Sequence, residues 1–197
     1  MFKSGPYRLQ LPDSDLTYFE DFLTIEESNY YFDVLKTHVP WQQDNIKVFG
    51  KVYAQPRLTA LYANNSMPYS YSNITMHPHK FSKELLVIKE RVEKFSKIEF
   101  TTCLLNLYRD GNDSNGWHSD NEKELGINPV IASVTLGQER FFHLRNKEDK
   151  KLKRKILLQH GSLLLMKGVT QQHWQHQIAK TAKPISERIN LTFRVIK

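Results

Sequence analysis

The chain has one cysteine in 197 residues, Cys103, so it cannot close an internal disulfide. It sits in the apolar run Cys103-Leu104-Leu105, where a thiol acts as a small buried hydrophobe. A reducing, intracellular compartment is the expectation: cytoplasmic for a bacterial protein, nuclear for a eukaryotic one. No apolar run is long enough to span a bilayer, and Met1-Phe2-Lys3-Ser4-Gly5-Pro6 lacks the apolar segment of a secretory signal. No membrane role is expected. Internal repeats, low-complexity tracts and clear linkers are also missing. That excludes a solenoid and leaves one domain over residues 1–197, expected as a monomer. Acids are in short supply: 21 Asp and Glu against 28 Lys and Arg, a formal net charge of +7. A basic surplus favours polyanions such as nucleic acid. Its densest part, Lys147 to Lys155, reads first as a solvated hairpin loop and only second as a nucleic-acid clamp.

What is present organises into two helices and many strands. Thr24-Ile25-Glu26-Glu27 has the form of a capping box, and a helix to about His38 follows, with Tyr31, Val34 and Leu35 on one face. Pro40 ends it. Ser82 caps a second helix, roughly 83–97, with Leu85, Ile88, Val92 and Phe95 at helical spacing. Between them, about 45–80, aromatics and turn formers predict short strands and long loops of the kind that build lids. From residue 100 short apolar runs predict strands at 101–109, 130–136, 141–144, 155–158, 162–166, 173–178 and 190–196. The fold expected is mainly β with supporting helices, a barrel or jelly roll whose core spans about 100–197.

The chemistry concentrates in His118-Ser119-Asp120. Two side chains two apart on extended backbone point the same way, so an imidazole and a carboxylate can grip one metal ion. Two ligands hold a catalytic metal poorly. Thr170 to Ile178 offers His173 and His176, three apart and therefore on opposite faces of a strand. His176 shares its face with Trp174 and Ile178, the apolar side, and is preferred; His173 is the alternative. His118, Asp120 and His176 make a 2-His-1-carboxylate set, the facial arrangement of non-haem Fe(II) oxygenases. In Arg188 to Ile196 strict alternation puts Arg188, Asn190, Thr192 and Arg194 on one face. A half-exposed strand gives the same pattern. Yet Asn106 and Tyr108 also share a face, and with two arginines they suit a dicarboxylate, which the planar guanidinium pairs bidentately.

These motifs together resemble the AlkB-like 2-oxoglutarate- and Fe(II)-dependent dioxygenases, in the branch of the human nuclear DNA-repair homologues. The resemblance covers roughly 45–197. It rests on Asn-x-Tyr-x-Asp-Gly-x-Asp-x-x-x-x-His-x-Asp at 106–120, Ala132 to Gly137 with Arg140 and Phe142, His160 to Met166, His173 to His176, and Arg188 to Arg194. It implies a double-stranded β-helix (jelly roll). It implies Fe(II) on His118, Asp120 and His176, and 2-oxoglutarate on Asn106, Tyr108, Arg188 and Arg194, with Asn190 and Thr192 assisting and O2 as oxidant. It implies oxidative removal of methyl groups from bases such as 1-methyladenine and 3-methylcytosine in DNA. Phe49 would wedge into the base stack, Arg57 would contact nucleic acid, Tyr69, Tyr71 and Ser72 would pack around the base, and Glu122 would accept from its exocyclic amine. Asn121 and Asn73 depart from the family's usual Asp and Gly. An RNA- or protein-directed oxygenase and a catalytically idle nucleic-acid-binding module are the competing readings.

Overall fold

Thr24 opens the first helix with both hydrogen bonds of a capping box. Its Oγ1 accepts from the Glu27 N–H at 3.2 Å, and its N–H donates to Glu27 Oε2 at 2.9 Å. Helix α1, Ile25–His38, buries Tyr31 and Leu35 and stops where Val39 turns extended ahead of Pro40. Ser82 starts helix α2, Lys83–Ser96, by accepting from the Leu85 N–H at 3.3 Å. Arg91 on α2 donates two hydrogen bonds to the Glu27 carboxylate, at 2.7 and 2.6 Å, so the same glutamate that caps α1 also ties it to α2.

The computed structural model describes residues 5–48, 50–71 and 74–196. Its strands in chain order are β1 Tyr7–Arg8, β2 Asp15–Phe19, β3 Asn45–Val48, β4 Lys51–Ala54, β5 Leu58–Ala63, β6 Tyr69–Tyr71, β7 Ile74–Met76, β8 His79–Lys80, β9 Thr102–Tyr108, β10 Asn115–His118, β11 Ile131–Gly137, β12 Arg140–Asn146, β13 Lys153–Leu158, β14 Leu163–Lys167, β15 Trp174–Ile178 and β16 Arg188–Arg194. Eight form one sheet in the order β1-β2-β14-β11-β16-β9-β5-β8. Four form a second, β10-β15-β12-β13, and two ribbons, β3-β4 and β6-β7, stand apart.

Strand alternation decides which side chains go where. Leu105, Leu107, Ala132, Val134, Ile189, Leu191 and Phe193 face the helices and pack with Leu35, Leu85, Ile88 and Val92. Between the sheets, Tyr18, Leu164 and Met166 of the large sheet meet Phe142, Leu144, Ile156, Leu158, Trp174 and Ile178 of the small one. Two sheets face to face with helices on the outer side make the jelly roll expected from the sequence. Every residue of β16 is buried, including its four polar ones, so that face looks into the barrel and not into water.

Three expectations need redrawing. The stretch 45–80 is divided: β5 pairs with β9 inside the large sheet, and only the two ribbons and β8 surround it. Residues 115–118 lie outside the strand ranges expected from the sequence and form β10. His173 is not on a strand; it closes a short helical turn, α3 Thr170–His173, because the Val169 carbonyl accepts from both the Gln172 and His173 N–H groups. No helix among the described residues is long and apolar enough to cross a membrane.

The Asp110-Gly111 turn after β9 has no room for a side chain. A Cβ on Gly111 would collide with the Thr181 carbonyl oxygen, while the Thr181 N–H donates to the Gly111 carbonyl at 2.9 Å. Gly111→Ala is expected to cost about 1–3 kcal/mol by overpacking. A thermal melt unchanged from wild type would refute the close approach.

Candidate active site

The loop from Tyr108 to Asn115 is built by charge pairing. Arg109 donates to Asp113 through Nε at 2.7 Å and Nη2 at 2.9 Å. Arg140, buried below it, donates to the carbonyls of Asp110, Asp113 and Ala179 at 3.3, 3.2 and 2.6 Å. The loop delivers the chain into β10, which pairs antiparallel with β15 in a register that sets His118 directly opposite His176. Opposite residues in a ladder project to the same face, and the two rings lie 4.2 Å apart between centroids. Asp120 follows, with Oδ2 3.8 Å from His176 Nε2. One donor atom from each of the three lies within 4.8 Å of the other two.

The protonation states suit a cation. His118 Nδ1 lies 2.7 Å from the Gly116 carbonyl and must carry the proton there, while the Asn115 amide donates to Nε2 at 3.2 Å. The ligating lone pair is therefore on Nε2. Burial lowers the pKa of both histidines, that of His176 to about 3 with further help from His118. Burial works to raise the Asp120 carboxyl, but Arg194 foremost, then the two imidazoles, hold it below its ordinary value. Neutral imidazoles beside a carboxylate are the ionisation a divalent metal requires. His118, Asp120 and His176 thus fit Fe(II).

The depressed histidines also predict a pH effect on the metal-free protein. A histidine whose folded pKa lies below its unfolded value near 6.5 stabilises the fold above that pH. The unfolded chain takes up protons first as pH falls. Metal-free stability is expected to fall from about pH 6.5 downward, towards the folded value near 3. His176→Gln should flatten that slope in urea melts; an unchanged slope would contradict the burial argument.

Beside the metal set, the polar row of β16 and its neighbours forms a second pole. Register places Arg188 opposite Tyr108, and Asn190 between Asn106 and Thr135. Asn106, Tyr108, Ser133, Arg188, Asn190, Thr192 and Arg194 all line the cavity that also contains His118, Asp120 and His176. Arg194 Nη2 donates to Asp120 Oδ1 at 2.6 Å. Thr192 Oγ1 donates to Asn190 Oδ1 at 3.1 Å, and Asn190 Nδ2 donates to Ser133 Oγ at 2.8 Å.

Arg188 stands out in this row. It is 1% exposed. Its Nη2 donates to Thr135 Oγ1 at 2.9 Å, its Nε and Nη1 have no hydrogen-bond partner, and no carboxylate pairs with it among the described residues. The Tyr108 ring lies against it at 5.2 Å. Burial, opposed by Tyr108 and reinforced by Arg140, brings its pKa down to about 10. A buried guanidinium without an anion is costly, which fits a site built for a carboxylate ligand.

The base-contact residues inferred from resemblance fall differently. Arg57 is buried at 4% exposure, donating to Asn106 Oδ1 at 2.7 Å and to the Ser114 carbonyl at 3.0 Å, and so braces the cavity wall. Glu122 lies two residues past Asp120, half-buried, with its carboxyl pushed up by burial against the pull of Arg194. Tyr69 and Tyr71 are on β6, their side chains outside the description, and Phe49 and Ser72 lie outside the described residues. Ser133 and Thr135 carry no site role in the sequence reading beyond the Ala132 to Gly137 motif, although their alternation with Ala132, Val134 and Leu136 marks a polar face.

A jelly roll holding a His-Asp-His set beside a buried, carboxylate-free arginine defines a class of oxygenase. The model of the 2OG-Fe(II) oxygenase superfamily matches residues 15–194, and the chain belongs to that superfamily, in its AlkB-like branch, as a dioxygenase using Fe(II), 2-oxoglutarate and O2. Relatives are specific. Alpha-ketoglutarate-dependent dioxygenase alkB homolog 3 of Bos taurus is 39% identical over 206 residues, covering 98% of this chain and 71% of the relative. DNA oxidative demethylase ALKBH2 of Arabidopsis thaliana is 39% identical over 214 residues, covering 93% and 67%. The solved structure entitled "The structure of OsALKBH1" superposes with a TM-score of 0.66 at 16% identity, covering 95% of this chain and 100% of that one, a likeness of fold. The similarity reaches well ahead of residue 45, since β2 completes the large sheet.

Proposed function

We propose that the protein removes methyl groups oxidatively from N-alkylated bases in DNA, 1-methyladenine and 3-methylcytosine among them. The observation that supports this most is the pairing of the His118-Asp120-His176 set and the buried Arg188 with 39% identity to a DNA oxidative demethylase. His118, Asp120 and His176 hold the iron. Arg188 takes the distal carboxylate of 2-oxoglutarate, with Asn106, Tyr108, Asn190, Thr192 and Arg194 around the rest. Bound iron supplies the oxidation in which 2-oxoglutarate and O2 become succinate and CO2 while the base's methyl is hydroxylated and leaves as formaldehyde.

The chain's own residues do the orienting. Arg57 fixes the Asn106 side-chain amide through Oδ1, and Arg194 fixes the Asp120 carboxylate. Phe142 stacks on the His176 ring at 4.9 Å and keeps water from that side. The ribbons β3-β4 and β6-β7, the latter carrying Tyr69 and Tyr71, act as the nucleotide lid. Methylation at the pairing edge weakens the base pair, so extrusion into a pocket costs less. The positively charged base then meets aromatic rings and the Glu122 carboxyl. The net charge of +7 favours the phosphate backbone.

The test is an assay of formaldehyde and succinate with Fe(II), ascorbate and 2-oxoglutarate. Its arms are methylated single-stranded DNA, duplex DNA, RNA and a peptide mixture. Release from DNA above the other arms is expected. Iron-loaded protein that acts only on RNA or peptide would move the substrate assignment, and binding of DNA without any turnover would sink the enzymatic reading.

A further inference from the structure

Asp120 lies beyond the end of β10, where no ladder hydrogen bond fixes it. Two other bonds do. Ser119 Oγ donates to the Trp174 carbonyl at 2.9 Å, and the Asp120 N–H donates to Oε1 of Gln171 at 2.9 Å. Both acceptors belong to the segment that leads into His176. Gln171 is 1% exposed. Its Nε2 lies 3.5 Å from Met166 Sδ, which assigns the amide: the nitrogen faces the sulfur and the oxygen faces Asp120. Its backbone is clamped as well. Lys147 donates through Nζ to the Gln171 carbonyl at 2.8 Å, and the Lys147 N–H donates to the His173 carbonyl at 2.8 Å.

We infer that Gln171 is a positioning residue for the metal set, holding the Asp120 backbone so that the carboxylate meets His118 and His176. Asp120 is then fixed at two points. Gln171 holds the main chain, and Arg194 holds Oδ1. With both in place, Oδ2 is turned towards His176 Nε2. Gln171 touches no ligand atom and acts only through Asp120. Its neighbour Gln172 is exposed and donates to Asn128 Oδ1 at 2.6 Å instead, so two adjacent glutamines have separate tasks. Partners that orient metal ligands commonly contribute 10–100-fold to metal affinity. This inference rests on His118, Asp120 and His176 forming the metal site, and stands whatever the substrate.

The test uses calorimetric titration of the full-length, metal-free protein with Mn2+, alongside thermal melts of the same preparations. Gln171→Met keeps the volume and removes the acceptor; Gln171→Glu keeps an acceptor oxygen. Mn2+ binding about 10–100-fold weaker in Gln171→Met, at a metal-free Tm close to wild type, is expected. Gln171→Glu and Gln172→Met should bind at least as well as wild type. Wild-type affinity in Gln171→Met overturns the positioning role while leaving the metal site intact. So does equal weakening in the Met and Glu variants, or weakening that only follows a fallen Tm. A wild-type protein that takes up no Mn2+ overturns the metal site and this role together.

Discussion

Arg188→Met is expected to melt higher than wild type when metal-free and to lose its hold on 2-oxoglutarate. The two effects share a cause. Arg188 is fully buried and has no carboxylate partner among the described residues, so the empty fold bears the cost of an uncompensated cation. Replacing buried charge by an apolar group of similar volume is commonly neutral or stabilising by about 1–4 kcal/mol. For a chain of this size that corresponds to a rise of roughly 2–16 °C. Losing one partner of a buried charged pair costs binding about 2–5 kcal/mol, so 2-oxoglutarate affinity should fall roughly 30- to 5000-fold. Differential scanning and co-substrate titration of the Mn2+-loaded protein read the two halves. A variant that melts lower and still binds 2-oxoglutarate normally would refute the assignment of Arg188.

Asp120→Ala and His118→Ala should both lose turnover, yet they should part company in stability. Asp120 and Arg194 are 1% and 4% exposed and joined by a 2.6 Å hydrogen bond. Removing one partner of a buried pair costs about 3–5 kcal/mol, because the other charge stays behind. That is a fall in Tm of roughly 6–20 °C. His118 is only half-buried and neutral, and its removal strands no charge. His118→Ala should therefore melt near wild type while forming no succinate. If Asp120→Ala turned over substrate, the metal set would be wrong. If it melted like wild type, the Arg194 pairing would be wrong.

Local rules made much of this readable in advance. Thr24 with Glu27 and Ser82 with Leu85 mark helix starts through bonds between near neighbours. The alternation of β16 separates an apolar face from a polar one without any tertiary knowledge, and the structure shows that the polar face is buried too. What was not readable depends on distant partners. Asn115-Gly116-Trp117-His118 has the composition of a turn, and it becomes a strand only because β15 offers it a ladder. An arginine beside a proline is exposed by default; Arg57 is inside because Asn106, 49 residues away, accepts from it. Gln171 cannot be told from Gln172 until Asp120 is brought alongside one of them. Strand parity alone prefers His176 over His173. The structure separates them by a helical turn, a different reason that leaves His176 beside His118.

The position of β16 in the large sheet has a consequence for how the protein is made. It is the last of the described strands along the chain, yet it lies between β11 and β9. Until residues 188–194 leave the ribosome, β1-β2-β14-β11 and β9-β5-β8 are two half-sheets with nothing to join them. Each presents an edge of unpaired backbone N–H and C=O groups, the kind of surface on which nascent chains aggregate. Closure pairs segments far apart in sequence and is correspondingly slow. The strand that closes the sheet also brings Arg188 and Arg194. Completion of the large sheet and arrival of both arginines in the cavity are therefore one event.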